Sequence, residues 1–277
     1  MIVLGDRVEA FAGAAAGAIG GRVVAHIHGG DRAEGVADES MRHAITKLSH
    51  IHFTASRQSA VRVRRMGEDP DWVFQVGSPA LDGLAQIPPA SDDLLLAHGV
   101  EDVENFAVVL QHPCGLSDRD EEGYGSAVAR AAEATFGGRQ CVFFTPNHDP
   151  GREGLMRGLG ARPMIPHLPR RDFVGMLKRA QVIVGNSSAG LIEAAACGVP
   201  CVNVGPRQAG RERCAGVVDV APADPLAIAR GIDEAKARRT GVAWSHPYGD
   251  GQSGERIAAV IESLRTKAPS VRKRNSY

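Results

Sequence analysis

185-GNSSAGLIEAAACGVPCVNVG-205 reads as a single crossover between two buried strands. The apolar run Val182–Val184 leads into it, and small residues make the turn. A short Ala-rich helix begins near Ser188 and is stopped by Gly198-Val199-Pro200, because proline cannot continue a helix. Cys201–Gly205 then reads as the next strand. A strand, a helix and a second strand in this order make a parallel βα unit. The two serines do not form a nucleophile elbow. That motif needs Gly-x-Ser-x-Gly, but Ala189 stands two after Ser187 and Asn186 stands two before Ser188. Two readings remain open. The amides and hydroxyls at Ser187 and Ser188 suit a phosphate or diphosphate, with Glu193 about a turn further on for a ribose diol. Alternatively one serine only caps the helix.

Outward from this unit the same alternation recurs. Strands are expected at Met1–Leu4, Val23–Ile27, His52–Thr54 and Val73–Val76, with helices at Arg7–Ile19, Asp38–Leu48 and Ser56–Met66 between them. After the polar stretch 86-QIPPASDD-93 the pattern restarts. Strands are expected at Phe106–Leu110, Gln140–Phe144 and Val217–Val220, and helices at Arg119–Thr135, Gly151–Leu159, Arg170–Arg179, Pro225–Arg238 and Ser253–Lys267. The fold class is therefore α/β with two Rossmann-like parallel-sheet domains. Their expected bounds are residues 1–85 and 86–250, with 251–277 a C-terminal helix and a basic tail. The run 272-RKR-274 is expected to be solvated.

Composition narrows the function. The 277 residues carry 32 basic and 32 acidic side chains, so no basic excess marks a nucleic-acid binder. Hydrophobic residues at 43% suffice for a core, while aromatics are only 5%. Cys114, Cys141, Cys197, Cys201 and Cys214 are odd in number and contain no CxxC, which points away from a disulfide framework or a zinc site and towards reduced thiols. No long apolar run and no leader pattern is seen, so the chain is expected to be cytoplasmic, with no membrane and no nucleic-acid partner.

Ligands of doubly wound sheets lie beyond the carboxyl ends of the strands. That singles out Asp6, His28, Gly77-Ser78, Gln111-His112, Asn147-His148 and Asn186–Ser188. His26 and His28, two apart in a strand, would share a face and could share one ligand, and His50 and His52 repeat the spacing. With Asp31 and Asp38 they invite a metal reading, but no compact ligand set supports it, and internal hydrogen bonds are the alternative. Asp38 and Glu39 open a helix, where the macrodipole favours acids. One of them is otherwise a candidate base.

The segments GDRVEA, HIHGGDRAEG, DESMRHAITKLSHIHF, VGSPALD, QHP, NHDPG and GNSSAGLIEAAACGVPCVNVGPRQAGRE occur in that order. Together they resemble the hydrolysing UDP-N-acetylglucosamine 2-epimerases of sialic- and related nonulosonic-acid biosynthesis, over about residues 1–265. Non-hydrolysing relatives carry a carboxylate where this chain has His28. The resemblance implies a GT-B architecture, a UDP-linked N-acetylhexosamine such as UDP-GlcNAc or UDP-diacetylbacillosamine as substrate, no cofactor, no metal, and a homo-oligomer, dimer or tetramer. It implies elimination of UDP to a glycal, then addition of water. It assigns Asp6, His28, Glu39 and His112 to catalysis, and Arg7, Asn147, His167, Ser187, Ser188, Glu193 and Arg207 to UDP-sugar binding. Family members carry a further leading segment of about 80 residues with the first strands of the sheet, so the N-terminal domain is expected to be incomplete and its edge exposed. The alternative is a truncated, non-catalytic UDP-sugar binder or one subunit of a split epimerase.

Overall fold

The computed structural model describes residues 1–34 and 38–276, and the chain divides into two compact units. One is Met1–Asp82 with Pro247–Tyr277; the other is Gly83–His246. The C-terminal helix, expected as a segment of its own, thus packs with the first unit.

The first unit is built from β1 (Ile2–Leu4), α1 (Val8–Ile19), β2 (Ala25–Ile27), α2 (Asp38–Leu48), β3 (Ile51–Thr54), α3 (Arg57–Arg65) and β4 (Val73–Gln75). The four strands pair in parallel in the order β1-β2-β3-β4. Val3, His26 and His52 stand in register across three strands. Alternation then sorts the side chains by face. Val3 and Val24 pack with Ala14 of α1 and Ile45 of α2. Ala25, Ile27, Ile51 and Phe53 pack with Val76 and with Ile257, from the last helix (Ser253–Ser263), which is α11 in chain order. That helix ends four residues before the expected Lys267. β1 is an edge strand, with Ile2 and Leu4 half exposed. Residues 35–37, which include the last residue of the segment HIHGGDRAEG, lie outside the described residues.

The C-terminal run is not a solvated tail. Lys273 donates to the carbonyls of Thr46 (3.0 Å) and Lys47 (2.8 Å) and pairs with Glu68 Oε2 at 2.6 Å, while Arg272 and Arg274 stay exposed. The cause is Glu68. Its carboxylate is 1% exposed, and a buried charge needs partners. It has three: His52, Lys47 and Lys273.

The second unit contains α4 (Asp92–Ala97), β5 (Ala107–Leu110), α5 (Asp118–Phe136), β6 (Cys141–Phe144), α6 (Arg152–Leu159), β7 (Met164–Ile165), α7 (Arg170–Arg179), β8 (Val182–Gly185), α8 (Ser188–Leu191), α9 (Glu193–Ala196), β9 (Cys201–Val204), β10 (Val217–Val220) and α10 (Pro225–Ala237). The parallel sheet runs β10-β9-β8-β5-β6-β7. β5 leads to β6 on one side, and the chain returns to place β8 on the other. The strand order therefore reverses between β5 and β8, which makes their carboxyl ends the switch point where such sheets take ligands. One face of this sheet is covered by α5 and α10, through Val128, Ala132, Ile228 and Ile232 against Val109, Val184, Val202 and Val218. Two elements were not expected. α4 starts at the end of the polar stretch, where Ser91 accepts from Leu94 N and caps it, and runs on to Ala97. β7 is two residues long, too short to show a period. Among the described residues no helix is long and apolar enough to cross a membrane.

Candidate active site

In the second unit four adjacent strands end on one hydrogen-bonded cluster, and Asn186, fully buried, is its centre. Its Oδ1 accepts from the His112 backbone N (2.7 Å), and its Nδ2 donates to the His112 carbonyl (2.8 Å). The carboxyl end of β8 is thereby clamped to that of β5. Gly185 makes this approach possible. It has φ +136, and a Cβ there would lie 2.1 Å from Leu110 O. The Asn186 carbonyl accepts from Gln208 Nε2 (2.8 Å) and Arg207 Nη1 (3.4 Å), which brings in the end of β9. Asn147, beyond β6, gives its backbone N–H to His112 Nδ1 at 3.2 Å. That nitrogen is an acceptor, so the neutral His112 ring carries its proton on Nε2. Asp149 Oδ2 accepts from Asn147 Nδ2 (2.5 Å) and faces Arg207 Nη2 at 3.6 Å. Behind His112, buried Glu121 of α5 accepts from the backbone N–H groups of Cys114 (2.6 Å) and Leu116 (3.1 Å) and holds the QHPCG turn in place. Burial, with Glu121 adding to it, pushes the Cys114 thiol up to about 11, so it is no nucleophile at neutral pH.

Of the two readings of the serines, the structure shows the cap. Ser187 occupies the N-cap position of α8, its Oγ 3.4 Å from Ala189 N, a long contact for a cap. The expected single helix breaks at Ile192 (φ −105, ψ −71), and Glu193 starts a new turn, α9. Several buried polar atoms in and beside the cluster are without a partner among the described residues, including both amide atoms of Gln111, Oε2 of Glu121, Oδ1 of Asn147 and Oε1 of Gln208. Buried polar atoms are rarely left so, and their grouping marks a place for a polar ligand. His167 stands exposed between β7 and α7, outside this cluster.

In the first unit the ends of β1, β2 and β4 and the start of α2 carry a second cluster. Asp6, just past β1, accepts from Arg42 Nε (3.0 Å) and Nη2. Glu39 Oε2 accepts from Arg42 Nη1 at 2.7 Å, and the same nitrogen donates to the Asp31 carbonyl at 2.7 Å. Arg42 is 1% exposed; burial opposes its charge, and Asp6, Glu39 and Asp31 outweigh that and raise its pKa. Sequence reasoning missed Arg42. Its only local signal is its place three after Glu39 on a helix, the spacing at which two side chains meet. Arg7 is exposed at the N-cap position of α1.

His26 and His28 do not share a strand face. His28 lies past the end of β2 with φ +69, so the strand period no longer governs it. Its Nδ1 meets Asp31 Oδ2 at 2.8 Å and its Nε2 meets Ser78 Oγ at 3.1 Å. His26 is fully buried, between Thr46 Oγ1 (3.1 Å) and the Gly5 carbonyl (2.8 Å), and burial brings its pKa down to about 4. His50 Nδ1 accepts from Val24 N, and His52 Nε2 bonds to Glu68 at 2.9 Å. Among the described residues no group of three or more His, Cys, Asp or Glu is placed to hold a metal ion. The five cysteines are free.

A family model described as UDP-N-acetylglucosamine 2-epimerase matches residues 1–262. A UDP-N,N'-diacetylbacillosamine 2-epimerase (hydrolyzing) of Legionella pneumophila is 36% identical over 284 residues, covering 100% of this chain and 74% of that protein. A UDP-N-acetylglucosamine 2-epimerase of Neisseria meningitidis is 36% identical over 217 residues, covering 76% of this chain and 56% of that protein. The matched stretch is thus about half to three quarters of these relatives' length. Among solved structures, a UDP-GlcNAc 2-epimerase from Neisseria meningitidis bound to UDP-GlcNAc superposes with a TM-score of 0.75 at 18% identity, over 95% of this chain and 76% of that one. At that identity the likeness speaks for the fold, which is GT-B-like, with parallel sheets of four and six strands.

Proposed function

The chain belongs to the UDP-N-acetylglucosamine 2-epimerase family, and from that premise we propose that it binds a UDP-linked N-acetylhexosamine and converts it, with water, to UDP and the free 2-epimerised sugar. UDP-GlcNAc and UDP-diacetylbacillosamine are the two candidate substrates. The observation that carries the reading is the convergence of His112, Asn147, Asn186–Ser188 and Arg207 at the carboxyl ends of β5, β6, β8 and β9.

Nucleotide binding is assigned to the second unit. Ser187 and Ser188 face the diphosphate, Arg207 balances its charge, Glu193 accepts from the ribose hydroxyls, and Asn147 contacts the ligand. The Nε2–H of His112 is a donor suited to a departing phosphate oxygen. The acid–base work is assigned to the first unit, to Asp6, His28 and Glu39, with Arg7 on the nucleotide-sugar.

The chemistry needs such groups. In the first step a base takes the proton at C2, the C–H pair becomes the C1–C2 double bond, and the C1–O bond breaks with its pair leaving on UDP. In the second step water adds its oxygen to C1, and a proton is delivered to C2 on the opposite face. A C2–H next to an acetamido group is weakly acidic, so a positioned acceptor is required, contributing about 10²–10⁴-fold. Arg42 pairs with both Asp6 and Glu39 and holds the two carboxylates beside one another.

The test is incubation with each UDP-sugar, reading UDP and the free sugar, alongside calorimetry with UDP alone. Turnover supports the reading in full, and UDP binding without turnover reduces it to a binding module. No binding at all rejects it. Glu193→Ala is expected to weaken UDP about tenfold, about 1.4 kcal/mol, and unchanged affinity would remove the ribose role.

A further inference from the structure

The VGSPALD segment has no part in the function proposed so far, yet it delivers Ser78 to His28. We propose that Asp31 and Ser78 are positioning residues that make His28 a ready proton acceptor, in a hydrogen-bonded line Asp31–His28–Ser78. This rests on the acid–base role given to His28 above.

The line follows from donor and acceptor chemistry. Asp31 is 4% exposed, and its carboxylate can only accept. Its Oδ1 already takes the Ser59 hydroxyl at 2.8 Å, and its Oδ2 faces His28 Nδ1 at 2.8 Å. Nδ1 must therefore carry a proton. In the neutral ring Nε2 is then the acceptor, and the Ser78 hydroxyl, 3.1 Å away, is its donor. A hydroxyl can also accept. When Nε2 takes a proton, Ser78 turns its hydrogen away and receives the new N–H, and the imidazolium charge forms with Nδ1–H already on Asp31. The proton leaves later to water. Both ring nitrogens keep the same partner in either charge state, so moving the proton needs no rearrangement of the ring.

The surroundings fix this geometry from several sides. His28 is the one residue other than glycine with positive φ among those described, a conformation that persists only where neighbours hold it. They do so here. The His28 backbone N donates to Phe53 O, Arg62 donates to the Gly30 carbonyl at 2.7 Å, and Arg42 donates to the Asp31 carbonyl at 2.7 Å. Gly30, at φ +77, brings the turn so close to α3 that a Cβ would lie 2.3 Å from Ser59 O. Ser78 is fully buried and receives Ala80 N at 3.3 Å, which orients its oxygen. The His28 side chain is 15% exposed, so the ring can still be reached.

The test joins a spectroscopic and a kinetic readout on the full chain. Imidazole ¹⁵N spectra of the wild type are expected to show His28 protonated on Nδ1 in its neutral form; protonation on Nε2 instead would overturn the proposal. Asp31→Asn, whose amide can donate to Nδ1, is expected to move the proton to Nε2 and to lower kcat about 10²-fold with KM within about threefold. Ser78→Ala keeps the Nδ1 proton and is expected to lower kcat about tenfold. A changed tautomer with unchanged kcat, or an unchanged tautomer in Asp31→Asn, refutes the positioning role. If the wild type turns over neither UDP-sugar, the function proposed above fails, and the tautomer spectra alone then decide the line.

Discussion

Replacing Glu68 by Gln tests a buried carboxylate that three side chains converge on. Burial alone would raise the pKa of this carboxyl, but hydrogen bonds from His52, Lys273 and Lys47 outweigh that and hold it at about 2 instead of 4.5. That depression corresponds to about 3 kcal/mol of preference for the charged form. It agrees with the about 3–5 kcal/mol lost when one partner of a buried ion pair is removed. The sign follows from proton linkage. The folded pKa lies below the unfolded one, so the stabilisation is complete above pH 4.5 and is lost as pH falls towards 2. Urea unfolding is the assay. With Trp244 changed to Phe, the fluorescence of Trp72 reports on the first unit alone. Glu68→Gln should be about 3 kcal/mol less stable than its parent at pH 7, and the difference should shrink through the window from 4.5 to 2. A loss below about 1 kcal/mol at pH 7, or a loss that does not change across that window, refutes the reasoning. The same substitution should free the C-terminal run, because Lys273 loses its carboxylate and Lys47, which also holds Asn275, loses the same partner. Faster amide exchange at 272–276 is the expected sign.

Arg42→Met leaves Asp6 and Glu39 beside an apolar side chain. It should cost about 3 kcal/mol in urea unfolding and at least about 10²-fold in turnover, while Arg42→Lys keeps the charge but not the fork and should fall between. His26 is held neutral, its pKa brought down from 6.5 to about 4 by burial. Between those values the unfolded chain binds more protons, so stability should be full above pH 6.5 and fall by up to about 3 kcal/mol on acidification to 4. His26→Asn should flatten that part of the pH–stability curve, and an unchanged curve would exclude His26 as its source.

What the sequence discloses and what it hides divide along a physical line. Parallel strands are buried on both faces, so runs such as Val182–Val184 and Cys201–Val204 announce themselves, and the residues just after them are found by counting. Asp6, His28, His112, Asn147 and Asn186–Ser188 were legible in that way. Their partners were not. Asn186 meets His112 across 74 positions, Arg42 meets Asp6 across 36, and Lys47 meets Asn275 across 228. No local period encodes a pair of that separation. The basic run 272-RKR-274 shows the cost of reading charge by composition alone. It looks like any solvated tail until Glu68 is seen to be buried, and a buried carboxylate obliges some cation to come to it.

The same reasoning shows where the pairing of His28 with His26 by strand period fails. The strand period that paired it with His26 ends one residue too early, at Ile27. What gives His28 its place is the left-handed turn that follows, in which Asp31 lies within one hydrogen bond of its ring. A His-Gly-Gly-Asp run after a buried strand is thus informative for a reason other than metal ligation. The two glycines let the chain fold back sharply enough for a carboxylate three residues on to reach Nδ1. Once Nδ1 is taken as a donor, Nε2 is the only ring nitrogen left to accept a proton, and it points to the one hydroxyl that can follow it through both charge states.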